Sequence, residues 1–198
     1  MTEALTVLVD MDGVLADFDE EILDRIEERY PHIPKLDVRR NFYVAEDFPE
    51  HSQLVRELSN EEGFFASLPL AQAALEGWQR MIDLGYDPRV CSSPISANPH
   101  SEKEKLGWLR QHFIPVFGES VVERAVITKD KHLYDGIALI DDRPEVRNSA
   151  DAAWRHIVFD KPYNQHSAAP RLHGWLDDKL PSLLESATDE YVRRKAGK

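Results

Sequence analysis

The sequence predicts an α/β protein with a doubly wound, mostly parallel sheet and a small helical cap inserted after the first strand. Short apolar runs rich in Val and Ile recur along the chain and end in polar residues. Segments with helical patterning alternate with these runs, which is typical of a parallel sheet covered by helices on both faces. The stretch between the first and second runs is much longer than a single crossover requires.

Five apolar runs are predicted as strands, at residues 5–9, 88–91, 125–128, 137–140 and 156–159. Helices are predicted over residues 71–84, 102–112 and 145–153. Gly85 follows the first of these helices and is a candidate for its C-terminal stop. In such folds ligands bind beyond the carboxyl ends of the strands, so the residues that follow each run are the candidates for function.

Residues 17–70 are predicted to form the inserted cap. Helical patterning covers residues 18–30 and 49–58, Asp17 can cap the first of these helices, and the prolines that follow it end the helix. An irregular crossover without function is the alternative. Residues 1–16 and 71–185 are predicted to form the catalytic core. Residues 186–198 are predicted to form a polar tail.

Composition excludes several classes of protein. The net charge is −12, from 36 acidic and 24 basic residues, and no run of Lys and Arg forms the basic patch that a nucleic acid polymer requires. No apolar run is long enough to span a membrane, and the N-terminus lacks the basic flank of a targeting peptide. We therefore expect a cytoplasmic protein without a membrane partner. The sequence leaves a homodimer open.

Polar side chains follow the first two predicted strands. Asp10 and Asp12 follow the first strand, and Gly13 permits the turn that would aim both carboxylates at one pocket. Ser92 and Ser93 follow the second strand, where hydroxyl and backbone N–H groups ahead of a helix can hold an anion. Taken singly, each pair is equally compatible with a solvated turn.

Charged side chains follow the third and fourth predicted strands. Lys131 follows the third strand and could neutralise a phosphate. Asp141 and Asp142 follow the fourth, and two adjacent carboxylates buried there would require a cation, for which a hard metal such as Mg²⁺ is suited. A solvated charge cluster is the alternative at the third strand, and an exposed loop is the alternative at the fourth. Together, the four strand ends supply a nucleophile, an acid, an anion cradle and a metal site.

In this order the motifs resemble those of the haloacid dehalogenase superfamily of phosphohydrolases. Within that superfamily the chain is similar to the pyrimidine 5′(3′)-deoxyribonucleotidases over most of its length. Ser92 stands where these enzymes commonly carry threonine, and Tyr43 where the animal enzymes carry tryptophan. The resembling segments are residues 10–18, 39–44, 91–95, 140–144, 164–166 and 171–175.

The resemblance implies a phosphatase that works through an aspartyl-phosphate intermediate. Asp10 would be the nucleophile and Asp12 the general acid and base. Mg²⁺ would be the cofactor, held by the Asp10 carboxylate, the Asp12 backbone carbonyl and the Asp142 carboxylate. Asp141 would support these ligands or replace one of them. The phosphate would contact Ser92, Ser93 and Lys131.

The resemblance also implies a nucleoside monophosphate as substrate, with pyrimidine deoxynucleotides favoured. The residues implied in substrate binding are Phe18, Phe42, Tyr43, Val44 and Arg143. An aromatic slot suits a stacking base, although the same side chains could form the cap's own core. Two alternatives stay open: another small phosphate ester such as a sugar phosphate, and a catalytically silent binding or regulatory protein.

Overall fold

The computed structural model of the protein describes residues 4–196. In these residues six parallel strands form one sheet, in the order β3-β2-β1-β4-β5-β6. The strands are β1 (Thr6–Val9), β2 (Asp87–Ser92), β3 (Val126–Ile127), β4 (Ala138–Asp141), β5 (Arg155–Phe159) and β6 (Arg171–Leu172). The five predicted strands are confirmed. β6 was not predicted, because a strand of two residues has no apolar periodicity of its own.

Seven α-helices occur in the described residues. They are α1 (Phe18–Arg29), α2 (Ser52–Asn60), α3 (Ala74–Asp83), α4 (Ser101–His112), α5 (Ile114–Phe117), α6 (Ser120–Glu123) and α7 (Leu180–Ala196). Asp17 is confirmed as the N-cap residue of α1, because its side chain accepts a hydrogen bond from the backbone N–H of Glu20 at 3.1 Å. Gly85 has a φ of +86° just after α3, the left-handed conformation that ends many helices.

One part of the predicted structure is wrong. Residues 145–153 form turns and a single 3₁₀ helix, Ser149–Asp151, instead of an α-helix. Asn148 precedes this 3₁₀ helix with a φ of +55°, and a left-handed residue cannot lie inside an α-helix. The polar tail predicted from residue 186 continues α7, which ends at Ala196. Residues 197–198 lie outside the described part of the chain.

The two ends of the cap, residues 17–70, lie side by side. The backbone N–H of Asp17 donates to the carbonyl of Pro69 at 2.8 Å, and that of Ala71 donates to Leu15 at 2.9 Å. The chain therefore leaves β1 and returns at nearly the same point, with α1 and α2 between. This arrangement supports the proposed division into a core and an inserted cap.

Large aromatic side chains fill the space between the helices and the sheet. All four tryptophans are buried, and so are Phe64 and Phe65 at the end of the cap. Gly77 of α3 lies directly against the indole of Trp175, where a Cβ atom would collide with the ring. Within residues 4–196, no helix combines the length and apolar character needed to cross a bilayer.

The order of the strands places a crevice at the carboxyl end of β1. From β1 the chain adds β2 and β3 on one side and then crosses back to add β4, β5 and β6 on the other. The strand order therefore reverses at β1, and such a switch point is where doubly wound sheets bind ligands. Val9 pairs with Val90 and with Ile140. The next residues of the three strands, which include Asp10 and Asp141, therefore come level at one rim.

Candidate active site

A cavity of about 660 Å³ opens at this rim, between the core and the cap. It brings together almost all of the side chains that the sequence singles out. From the core it is lined by Asp10, Asp12, Ser93, Lys131, Asp141, Asp142 and Arg143, and from the cap by Phe18, Phe42, Tyr43 and Val44. Ser92 is the exception, because its side chain is fully buried and does not line the cavity.

A tight turn after β1 carries the two catalytic candidates. The backbone N–H groups of Leu15 and Ala16 both donate to the carbonyl of Met11 at 2.8 Å, which folds the chain back on itself. Gly13 lies in this turn with a φ of +73°, and a Cβ atom there would collide with Oδ2 of Asp142. Glycine is therefore required at this position for both conformation and space.

Lys131 bridges two of the carboxylates. Its Nζ lies 2.9 Å from Oδ1 of Asp10 and 2.6 Å from Oδ2 of Asp141. Burial alone would lower the pKa of Lys131, but the negative charges of Asp10 and Asp141 raise it above its ordinary value, so the side chain stays an ammonium. Burial also opposes ionisation of Asp141, but the charge of Lys131 outweighs it and lowers the pKa of that carboxyl.

Asp142 has the opposite electrostatic environment. Burial, followed by the charges of Asp141 and Asp10, raises its pKa well above the ordinary value. The Tyr163 hydroxyl donates to Oδ2 of Asp142, and the Asn164 amide donates to its backbone carbonyl at 2.8 Å. Asp142 is therefore fixed in place, and among residues 4–196 no cation forms an ion pair with it. The charge of Lys161 lowers its pKa, but less than burial and the two carboxylates raise it.

These carboxylates fit a hard divalent cation. One oxygen from each of Asp10, Asp141 and Asp142 lies within 4.8 Å of the others, and all three residues are buried. Oδ1 of Asp10 accepts no well-aligned hydrogen bond among the described residues, although it forms an ion pair with Lys131. Three buried carboxylates beside one ammonium leave excess negative charge, and their oxygens are the ligands that Mg²⁺ prefers. The Asp12 side chain lies outside this cluster.

Lys105 is a site residue that the sequence analysis missed. This fully buried lysine of α4 donates from Nζ to Oδ2 of Asp12 at 2.7 Å, to Oγ of Ser92 at 3.0 Å and to the carbonyl of Ser93 at 2.7 Å. Burial raises the pKa of Asp12, and the charge of Lys105 partly offsets that effect. The sequence holds one sign of its burial: Lys105 precedes the core residues Trp108 and Leu109 by three and four positions, which places it on the same face of the helix.

The aromatic residues of the cap meet residues of the core across the cavity. The Phe42 ring packs edge-on against Tyr43, with centroids 5.1 Å apart, and against Tyr163, at 5.9 Å. The Arg143 guanidinium lies 4.2 Å from the centre of the Phe42 ring. Tyr43 is 57% exposed, so it is not part of a closed cap core. Phe18 both lines the cavity and packs against Phe64, at 5.2 Å.

A buried ion-pair cluster supports this aromatic wall. Nε of Arg39 donates to Asp47 at 2.7 Å, and the same guanidinium pairs with Asp19. It also donates to the Phe42 carbonyl at 3.0 Å and lies 4.9 Å from the centre of the Tyr163 ring. The cap segment that carries Phe42 is thereby held against the core residue that orients Asp142.

The chain is similar to known nucleotidases over most of its length. The family described as "5' nucleotidase, deoxy (Pyrimidine), cytosolic type C protein" matches residues 4–184. The cytosolic-type 5'(3')-deoxyribonucleotidase of Homo sapiens is 37% identical over 191 residues, which are 90% of this chain and 92% of the human protein. A protein of Bordetella pertussis, provisionally named a 5'(3')-deoxyribonucleotidase, is 37% identical over 172 residues, 85% of this chain and 90% of its own.

Solved structures share the fold at much lower identity. A haloacid dehalogenase-like family hydrolase from Xanthomonas campestris has a TM-score of 0.56 to this chain at 11% identity, covering 96% of this chain and 99% of that one. At such identity the likeness concerns the fold alone. It confirms the α/β architecture that the strand and helix pattern predicts.

Proposed function

The chain belongs to the family of cytosolic type C pyrimidine 5′-deoxynucleotidases, within the haloacid dehalogenase superfamily, and on that premise we propose that it hydrolyses (deoxy)ribonucleoside monophosphates, with pyrimidine deoxynucleotides favoured. One observation carries the proposal. A single cavity joins a buried carboxylate cluster and its lysine to an open aromatic wall. The first part suits a phosphate ester and the second suits a planar base.

Mg²⁺ is the cofactor that we propose for this cluster. Asp10 and Asp142 would hold it with the backbone carbonyl of Asp12, and Asp141 would support these ligands or replace one. When bound, the cation would supply positive charge that lowers the repulsion between an anionic nucleophile and an anionic substrate. The raised pKa of Asp142 and the closeness of the three buried carboxylates support this assignment.

The residues of the chain then divide the reaction between them. A carboxylate oxygen of Asp10 forms a bond to phosphorus while the bond from phosphorus to the nucleoside oxygen breaks. The electron pair of that bond stays on the leaving oxygen, which takes a proton from Asp12. Burial raises the pKa of Asp12, which favours the protonated form that this step requires.

Hydrolysis of the aspartyl-phosphate reverses these roles. Asp12, now a carboxylate, takes a proton from water as the water oxygen bonds to phosphorus, and the Asp10 carboxylate is released. Lys131 lies against Asp10 throughout and can pair with a phosphoryl oxygen. Ser93 lines the cavity and can contact the phosphate, whereas Ser92 lies behind it and its direct contact stays a prediction.

Phosphate release from a panel of esters tests the proposal. We expect Mg²⁺-dependent hydrolysis of dUMP and dTMP in preference to sugar phosphates. Asp10→Asn should abolish turnover, because an amide cannot replace the attacking carboxylate. Equal rates on sugar phosphates, lost in the same variant, would support the alternative substrate class. No turnover of any ester by folded protein would instead support a binding role.

The location and the assembly state stay predictions. The sequence favours a cytoplasmic protein and leaves a homodimer open. Neither bears on the chemistry, because every residue assigned above lies in one chain.

A further inference from the structure

Lys105 is a buried charge whose environment is fully specified. Its ammonium has three hydrogens and three oxygen acceptors, which belong to Asp12, Ser92 and Ser93. The side chain has no solvent exposure, so water cannot take the place of any acceptor. Within residues 4–196, Asp12 is its only ion-pair partner. The position of the ammonium therefore determines where Oδ2 of Asp12 can lie.

The two oxygens of Asp12 differ as a result. Oδ2 is held by Lys105 at 2.7 Å, whereas Oδ1 has no hydrogen-bond partner among the described residues. A carboxylic acid that delivers a proton must direct one oxygen toward the acceptor and keep it there. Of the two oxygens, only Oδ1 is free to do so.

The helix that carries Lys105 is itself fastened to the end of the cap. The preceding residue, Glu104, accepts hydrogen bonds from the backbone N–H groups of Gly63 and Phe65 at 2.6 and 3.0 Å. The Phe65 ring lies 5.0 Å from the Lys105 ammonium and covers it. The Trp108 indole, one turn further along α4, donates to the Leu68 carbonyl at 2.6 Å. These contacts fix the position of the Lys105 ammonium.

We propose that Lys105 is a positioning residue that holds the Asp12 carboxyl in the orientation required for proton transfer to the leaving oxygen. The inference rests on the proposed function, since it concerns the acid of that reaction. Lys105 acts through Asp12 and touches neither the reacting phosphorus nor the leaving group. Its role is separate from that of Lys131, which contacts Asp10 and Asp141.

Leaving-group dependence distinguishes positioning from a general structural role. A deoxynucleoside oxygen needs a proton in order to leave, whereas 4-nitrophenolate leaves without one. Lys105→Met keeps the length of the side chain but removes the charge. We expect kcat/KM for dUMP to fall about 100-fold, within the range of a general acid's contribution, and that for 4-nitrophenyl phosphate to fall less than about 10-fold.

The ratio of the two values is the measured quantity, because it does not depend on the fraction of enzyme that is folded. If Lys105→Met yields no folded protein, Lys105→Gln tests the same ratio with a neutral donor. Asp12→Asn sets the reference for loss of the acid. Adding Lys105→Met to Asp12→Asn should cause no further change in the ratio, since both act on one step. Lys103→Met, exposed on the same helix, is the matched control and should leave the ratio unchanged.

Equal losses on both substrates would overturn the positioning role, and so would a further loss in the double variant. The wild-type enzyme tests the proposed function independently. If it hydrolyses a sugar phosphate instead of dUMP, that ester replaces dUMP in the ratio, and the inference about Lys105 is tested unchanged. A folded wild-type protein without turnover of any ester would overturn both.

Discussion

At the scale of single residues, the site is a balance between buried charges of opposite sign. Lys131 offsets Asp10 and Asp141, and Lys105 offsets Asp12, but Asp142 has only hydrogen bonds from neutral groups. The pKa of Asp142 is therefore raised, first by burial and then by the other carboxylates. A cation at this point would remove an electrostatic cost that the folded chain otherwise carries.

This balance predicts that Mg²⁺ stabilises the fold more at neutral than at acidic pH. The pKa of Asp142 is higher in the folded protein than in the unfolded chain. On acidification the metal-free folded protein therefore binds a proton at Asp142 before the unfolded chain does. This proton removes the repulsion between Asp142 and the other carboxylates. Protons and metal thus compete. Thermal unfolding should show a gain of about 2.7 kcal/mol at neutral pH, when Mg²⁺ is about 100 times its dissociation constant.

The gain should be smaller at acidic than at neutral pH and vanish on addition of a chelator. Asp142→Asn is the control, because it removes both a proposed metal ligand and the buried negative charge that the metal would neutralise. The same gain at both pH values, or an undiminished gain in Asp142→Asn, would contradict the assignment of this residue to the metal.

At the scale of elements, α4 connects the turn that carries Asp12 with the end of the cap. Its buried face carries Glu104 and Lys105 side by side, one bound to the cap backbone and the other to Asp12. A charged pair inside an otherwise apolar helix face is costly to bury and is tolerated only when each group is paired. The helix is therefore a structural link as well as a crossover between β2 and β3.

Glu104→Ala should lower the free energy of unfolding by about 2 kcal/mol or more. The change leaves the buried N–H of Phe65 and the half-buried N–H of Gly63 without their acceptor, and an unsatisfied buried group costs about 1–3 kcal/mol. Urea unfolding measures the difference. Glu102→Ala, exposed on the same helix, should stay within about 0.5 kcal/mol of the parent. Equal midpoints for the two variants would show that the contact is not stabilising.

The strands and helices of the structure also show which features can be predicted from the sequence. Five strands, the helices of the cap and four strand-end motifs have local signals, namely apolar periodicity and polar residues at strand ends. The failed helix at residues 145–153 has such a signal too, but Asn148 adopts a left-handed conformation that pattern reasoning does not detect. Lys105 was missed because its partners, Asp12 and Ser92, are distant in sequence and only the fold brings them together.

At the scale of the whole molecule, the cavity belongs to neither part of the chain alone. The core supplies the carboxylates and lysines, and the cap supplies the aromatic wall that meets Arg143 and Tyr163. The division has a chemical meaning. Under the proposed function, the groups that would act on phosphorus lie at the strand ends, and those that would recognise the rest of the ester lie on the insertion. We therefore expect that the choice of substrate can change without altering the reaction.

Phe42→Ala tests this separation. Stacking of a base on an aromatic ring contributes about 1–3 kcal/mol, so kcat/KM for dUMP should fall about 10-fold or more. A sugar phosphate, which has no base to stack, should be hydrolysed at nearly the parental rate. Val38→Ala, at an exposed position of the cap, is the control and should change neither value. Parallel losses on both esters would place Phe42 in the support of the catalytic groups instead.

The adjacent ends of the cap have a consequence for how such a protein can diversify. The hydrogen bonds from Asp17 to Pro69 and from Ala71 to Leu15 close the insertion at its base, so the chain enters and leaves it through two neighbouring peptide segments. A different polypeptide whose ends lie equally close could be grafted at the same two points without stretching the sheet. Exchange of whole insertions, as well as point substitution, is thus open to this architecture as a route to new substrates.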